Sequence, residues 1–176
     1  MKVLFFTIAL SLFSILHADD VAFSAFKPSE GTYYVQVIAV DKEFPEEEIP
    51  RDMSPLTIMY LDDGKMEARF TMKKDDNCEE INIMLEKTVE PRKITMNRRL
   101  RYTCAAVRTS KQKHWILVCP REFQGEQIRM AKLVGPNTDK NPKALEDFYR
   151  FIYRERFDKR RIITPKQTEA CAPEHA

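Results

Sequence analysis

The sequence predicts an all-β fold, an eight-stranded antiparallel up-and-down barrel with one C-terminal α-helix packed on the outside. Three observations predict it. Short apolar or alternating runs recur at regular spacing between polar turns, a single amphipathic helical segment comes late, and glycine is scarce, with 4 in 176 residues. An up-and-down barrel joins such strands in chain order and closes the sheet on itself. Eight strands leave an interior just wide enough for one small ligand.

The first strand spans residues 31–41. Gly31 opens it, and Tyr33, Tyr34, Val35, Val37, Ile38 and Val40 suit a pleated, half-buried surface. Leu56 to Leu61 is the second, ended by the hairpin signal Asp62-Asp63-Gly64. In the third, Met66, Ala68, Phe70 and Met72 alternate with Glu67, Arg69 and Thr71, the period-2 pattern of a strand with one wet face. Polar Lys73 to Asn77 leads into the fourth, opened by Cys78, where Ile81, Ile83 and Leu85 oppose Glu80, Asn82 and Glu86. The turn Glu90-Pro91-Arg92 precedes a short strand from Lys93 to Met96. Leu100 to Arg108 and His114 to Cys119 follow, joined by polar Thr109 to Lys113. Gln127 to Val134 is the eighth, and Gly135-Pro136-Asn137 stops it.

The pattern then changes. Asn141 caps a helix with Pro142 at its first position. Ala144, Leu145, Phe148, Phe151 and Ile152 recur at helical spacing, so the helix spans about 141–156. Arg161 to Thr164 reads as a last short strand before a polar tail with Cys171.

Residues 1–18 read as a secretory signal peptide: Met1-Lys2, an apolar run from Val3 to Leu16, then His17-Ala18 before acidic Asp19-Asp20. The run is shorter than a membrane-spanning helix needs, and no later segment is apolar enough to span. Residues 19–176 then form one extracellular domain, with the barrel at about 31–135. Formal charge is +2, and loss of Lys2 leaves 28 basic against 27 acidic residues, which gives no argument for nucleic acid. The clusters Arg98-Arg99-Leu100-Arg101 and Arg154 to Arg161 read as solvated faces. The chain has 4 cysteines, an even number that invites pairing in a secreted protein. None lies in a CxxC pair and the histidines lack ligand spacing, so no metal and no cofactor are expected.

Taken in order, these segments resemble the lipocalins, within them the odorant-binding and tear (von Ebner's gland) branch. The resemblance is carried by Gly31-Thr32-Tyr33-Tyr34, Val40 to Glu46, Ser54-Pro55-Leu56-Thr57 and Leu85 to Pro91. It continues through Lys132-Leu133-Val134-Gly135, Ala144 to Phe148, and Thr164 to Gln167 before Cys171. It implies a barrel that carries small hydrophobic molecules, and a disulfide from Cys78 to Cys171. Two departures stand out. Tyr33 replaces the family's tryptophan, and Pro136 stands where this branch usually has the arginine that packs over it. Cys119 matches a position that is often a lone thiol in this branch. A symmetric turn centred on Lys111 and Gln112 would nevertheless put Cys104 opposite Cys119, close enough to be considered for bridging. A second disulfide and two buried thiols both stay open.

Alternation turns Leu56, Ile58, Met66, Ala68, Phe70, Ile81, Ile83, Leu85, Leu117 and Met130 inward as the ligand-binding wall. Methionines there let the wall adapt to guests of different shape. Lys132 falls in phase with Ile128 and Met130, and an inward lysine is costly unless solvated or paired. It could meet a carboxylate, carbonyl or aldehyde oxygen of a guest, or snorkel out through the open end. Tyr102 offers a hydroxyl in the same space. No catalytic residues are expected: GxSxG, HExxH and a Ser/His/Asp set are absent. Cys119 and His114 lie five apart on one strand and face opposite ways. The function read from the sequence is a secreted, monomeric carrier of odorant- or pheromone-like volatiles, fatty acids or retinoids, with a cell-surface receptor as a further partner. The alternative is an interaction or signalling protein acting through its loops and exterior, with Arg150, Arg154, Arg156, Lys159, Arg160 and Arg161 as its best feature.

Overall fold

Short polar turns decide where each strand of the barrel reverses. The computed structural model describes residues 26–90, 93–97 and 101–173. The signal segment expected at 1–18 and the basic run Arg98-Arg99-Leu100 lie outside these residues. The strands are β1 (Gly31–Val40), β2 (Asp52–Met53), β3 (Leu56–Tyr60), β4 (Met66–Lys74), β5 (Asn77–Lys87), β6 (Lys93–Asn97), β7 (Arg101–Arg108), β8 (Trp115–Phe123) and β9 (Glu126–Gly135). The helix α1 (Pro142–Arg154) follows, then β10 (Ile162–Ile163) and β11 (Lys166–Gln167). β1 pairs with β3 on one edge and β9 on the other, so β1 and β3 to β9 close an eight-stranded antiparallel barrel. β10 adds one strand beside β1, and β2 with β11 forms a small parallel pair outside the barrel.

The turns are tighter than the sequence suggested. Lys74 sits opposite Asn77, which leaves a two-residue loop of Asp75 and Asp76 at φ 49° and 67°. Two central residues at positive φ make the primed turn that matches strand twist. Gln124 and Gly125, at φ 51° and 79°, do the same between β8 and β9, so these strands run to Phe123 and from Glu126 rather than stopping at 119 and starting at 127. β8 also begins at Trp115, one residue later than expected.

β1 contains an irregularity that alternation does not reveal. Its register against β9 shifts between Val35 and Val37, so Gln36 is a bulge residue. The bulge puts Tyr33, Val35, Ile38 and Val40 in the barrel interior while Val37 and Ala39 face outward. An extra residue of this kind re-aims every side chain beyond it. The Gln36 amide donates to the carbonyls of Asn137 and Asp139, and Gln167 donates to that of Val35, so the chain after the barrel holds the bulge.

Two apolar cores share the barrel wall. Outside, Ala144, Phe148, Phe151 and Ile152 of α1 cover Val37, Ala39, Ile116, Val118, Ala131 and Leu133. The Asn141 side chain accepts from the amides of Lys143 and Ala144, and Pro142 occupies the first turn where its missing N–H goes unnoticed. Inside, the floor is built by aromatic residues. Tyr33 is 3% exposed, and its hydroxyl donates to the carbonyl of Ser29 and meets the Ser29 hydroxyl. A buried tyrosine needs such a partner. Tyr60 likewise donates to the carbonyl of Pro28.

The tryptophan–arginine contact that the resemblance implies is missing at positions 33 and 136, and a tryptophan and an arginine from other strands meet instead. Trp115 of β8 packs edge-on against Phe26 at 4.8 Å, and the Arg108 guanidinium of β7 lies 5.9 Å from the indole centre. Arg108 and Trp115 are direct cross-strand partners. An indole and a guanidinium pair in this way through the ring's electron-rich face.

Candidate functional site

The barrel registers settle which side chains share the interior. Leu56, Ile58 and Tyr60 of β3 stand opposite Phe70, Ala68 and Met66 of β4, which stand opposite Ile81, Ile83 and Leu85 of β5. Leu85 continues to Met96, Met96 to Tyr102, Leu117 to Lys132, and Lys132 to Ile38. Leu56, Ile58, Met66, Ala68, Ile83, Leu85, Tyr102, Leu117 and Met130 all belong to, or pack on, one interior cluster. Phe70 and Ile81 pair with each other farther along β4 and β5, and neither is a member of that cluster.

Several residues in that cluster carried no pattern in the sequence. Ile94 and Met96 sit on a strand too short to display alternation. Val35, Ile38 and Val40 lie beyond or around the bulge. Phe44 and Ile49 come from an irregular acidic segment and are 4% and 6% exposed. For these two, no periodic signal exists; an apolar residue isolated among glutamates was the only hint.

Lys132 lies one step above the floor. Its strand neighbours along the same face are Val134, which opposes Trp115, and Met130, which opposes Cys119. Burial lowers the affinity of its amine for a proton, holding its pKa below the ordinary 10.5. The side chain still keeps some accessible surface.

β8 shows an inversion of burial. Its outward-facing Ile116 and Val118 are buried under α1, whereas inward-facing Leu117 and Cys119 are only half-buried. Ile83 and Tyr102 behave in the same way. In a filled core the inward residues would be the buried ones. Other inward residues are buried, among them Ile58, Met66, Leu85, Trp115 and Met130, so the residual exposure is local.

Both cysteine pairs are bridged. Cys78 of β5 joins Cys171, closing a sequence separation of 93 residues, with Cα atoms 5.8 Å apart. Cys104 joins Cys119 across β7 and β8, with Cα atoms 4.4 Å apart. Ala105 opposes Val118 and Ala106 opposes Leu117, so the register does centre on Lys111 and Gln112. The second bridge faces inward, and Met96 Sδ lies 3.6 Å from Cys104 Sγ. This is a sulfur–sulfur packing contact, because a bridged cysteine has no proton to donate.

The basic cluster in the last turns of α1 and just beyond it is largely paired with the protein's own acids. Arg150 meets Glu146, Arg154 meets Glu155, Arg160 meets Asp158, and Arg161 reaches Glu46. Among the described residues, no group of histidine, cysteine and carboxylate side chains is arranged to hold a metal ion. No helix among them is long and apolar enough to cross a membrane.

The strands and registers therefore define a closed eight-stranded antiparallel barrel with an apolar interior and one helix on its wall. The chain belongs to the lipocalin / cytosolic fatty-acid binding protein family, whose model matches residues 30–169. Members of this family bind small hydrophobic molecules. The chain is 98% identical to the late lactation protein of Trichosurus vulpecula over the full length of both. It is 32% identical to von Ebner gland protein 2 of Rattus norvegicus, over 97% of each chain. Among solved structures, the siderocalin Ex-FABP overlays with a TM-score of 0.65 at 16% identity, covering 81% of this chain and 96% of the other.

Proposed function

We propose that the protein is a secreted, non-enzymatic carrier that holds one small hydrophobic molecule in the barrel lumen and works as a monomer. Its guests would be volatiles of the odorant or pheromone kind, fatty acids or retinoids. The observation that carries this reading is the accessible surface left on inward-facing Leu117, Ile83, Tyr102 and Lys132 while the outward side of β8 is buried. An apolar space of this kind gains free energy by exchanging water for an apolar guest. Met66, Met96 and Met130 give the wall adaptable volume. Two disulfides and the apolar leader at 1–18 support release into an oxidising exterior, and a cell-surface receptor would then take up the loaded carrier.

Lys132 would hold the polar end of a guest. Its amine, turned into the lumen, would hydrogen-bond a guest carbonyl oxygen or, as an ammonium, pair with a guest carboxylate, neither of which a bare hydrocarbon offers. Lys132→Met, compared across an aliphatic aldehyde, a fatty acid and a hydrocarbon of equal chain length, tests this. Loss for the aldehyde and acid by about tenfold, with the hydrocarbon unchanged or improved, is the expected pattern. Equal change for all three would refute the anchor. Failure of the wild-type protein to bind any of the three saturably would refute the carrier.

A further inference from the structure

The barrel mouth is covered by the chain's own acidic segment. Between β1 and β2, residues 41–49 read Asp-Lys-Glu-Phe-Pro-Glu-Glu-Glu-Ile, with five acids and one base. Such a stretch has no tendency to lie on an apolar opening by itself. Yet Phe44 and Ile49 are buried within the interior cluster, and Pro45 is buried beside them. Something must hold an acidic loop in that position.

A collar of arginines does so. Arg129 pairs with Asp41, whose carboxylate also accepts from the Arg129 amide at 2.7 Å, and Arg121 pairs with Glu48. These pairs are partly exposed, and exposed ion pairs are individually weak. Arg161 is different. Its guanidinium donates to the carbonyls of Asp41, Lys42 and Phe44, each at 2.6 Å, and it also lies 3.6 Å from Glu46. Its side chain is only 14% exposed. A planar fork of donors on three carbonyls of one turn is a fit that an ammonium cannot copy, and hydrogen bonds from a charged donor are stronger than neutral ones.

Arg161 is itself tied down. It precedes β10 on the edge of β1, and β11 pairs with β2 just beyond the loop, with the Lys166 amide donating to Arg51 and that of Thr168 to Met53. We propose that residues 41–49 are a mouth cover latched by Arg161, and that a guest enters or leaves by displacing Phe44 and Ile49. Arg161 is then a positioning residue that sets how fast guests exchange. This rests on the carrier reading for the guest, but the latch itself can be read without one.

Two measurements separate the two claims. Stopped-flow entry and displacement of an anthroyloxy-labelled stearic acid should quicken by about tenfold in Arg161→Ala. Entry and exit should rise together, so that the equilibrium affinity shifts far less than either rate. Arg161→Lys, which keeps the charge beside Glu46 but not the three-carbonyl fork, should fall between, and Phe44→Ala should also speed entry. In guest-free protein, amide exchange at Phe44, Glu48 and Ile49 should accelerate in Arg161→Ala while Ile38 and Leu133 in the barrel wall stay slow. Unchanged loop amides, or equal acceleration of loop and wall, would overturn the latch. If wild-type protein takes up no probe, the carrier reading falls and the amide exchange alone decides the latch.

Discussion

Lys132 shows how one side chain ties alternation to chemistry. Its inward phase follows from Ile128 and Met130, and its register partners Leu117 and Ile38 are both interior residues. Burial lowers its proton affinity, so the folded chain releases a proton that the unfolded chain still binds between the depressed value and the ordinary 10.5. Stability must therefore rise with pH across that window. Below the window both states bind the proton and the fold bears the full penalty of burying the charge. Lys132→Met should flatten this rise and stabilise the protein at neutral pH, as checked by urea midpoints measured from neutral to alkaline pH. Tyr33→Phe tests the floor. Loss of the hydroxyl's bond to Ser29 should destabilise by about 1 kcal/mol, because the ring stays and only a hydrogen bond is removed. The inward phase of Lys132 was legible because it lies on a regular strand. Val35 and Ile38 were not, since an unseen bulge at Gln36 separates them. The Trp115–Arg108 pair was hidden for another reason: each residue is ordinary in its own strand, and only the register brings them together.

At the scale of elements, α1 was readable to within two residues because cap, proline and apolar stripe all agree. Its role as the outer cover of β1, β8 and β9 depends on Phe148, which is fully buried. Phe148→Ala should cost about 3 to 5 kcal/mol with little effect on guest affinity, since the lumen lies on the other side of the wall; thermal melts and probe titration together check this. The Cys104–Cys119 bridge closes a separation of 15 residues. Replacing both cysteines with alanine should therefore lose about 3 kcal/mol in the chain-entropy model, measured by denaturant unfolding. The hairpin register that brings these cysteines together follows from the count between them. The mouth segment 41–49 was beyond reach in the sequence, because its placement comes from Arg161, 120 positions from Asp41 in the chain. No local pattern encodes such a contact.

For the whole molecule, barrel closure was legible because strand number, turn spacing and a single late helix all indicate one architecture. What the lumen holds was not, since free space depends on which inward side chains leave their neighbours uncovered. The central claim is that a guest binds inside this lumen. The chain's 1 tryptophan, Trp115, sits in the floor beside Phe26 and so reports on the interior directly. The most direct test titrates the disulfide-intact protein with an anthroyloxy-labelled fatty acid while exciting Trp115. Saturable energy transfer at one probe per chain, reversed by an unlabelled fatty acid, is the predicted result. No saturable binding, or saturable binding without transfer from Trp115, would contradict it.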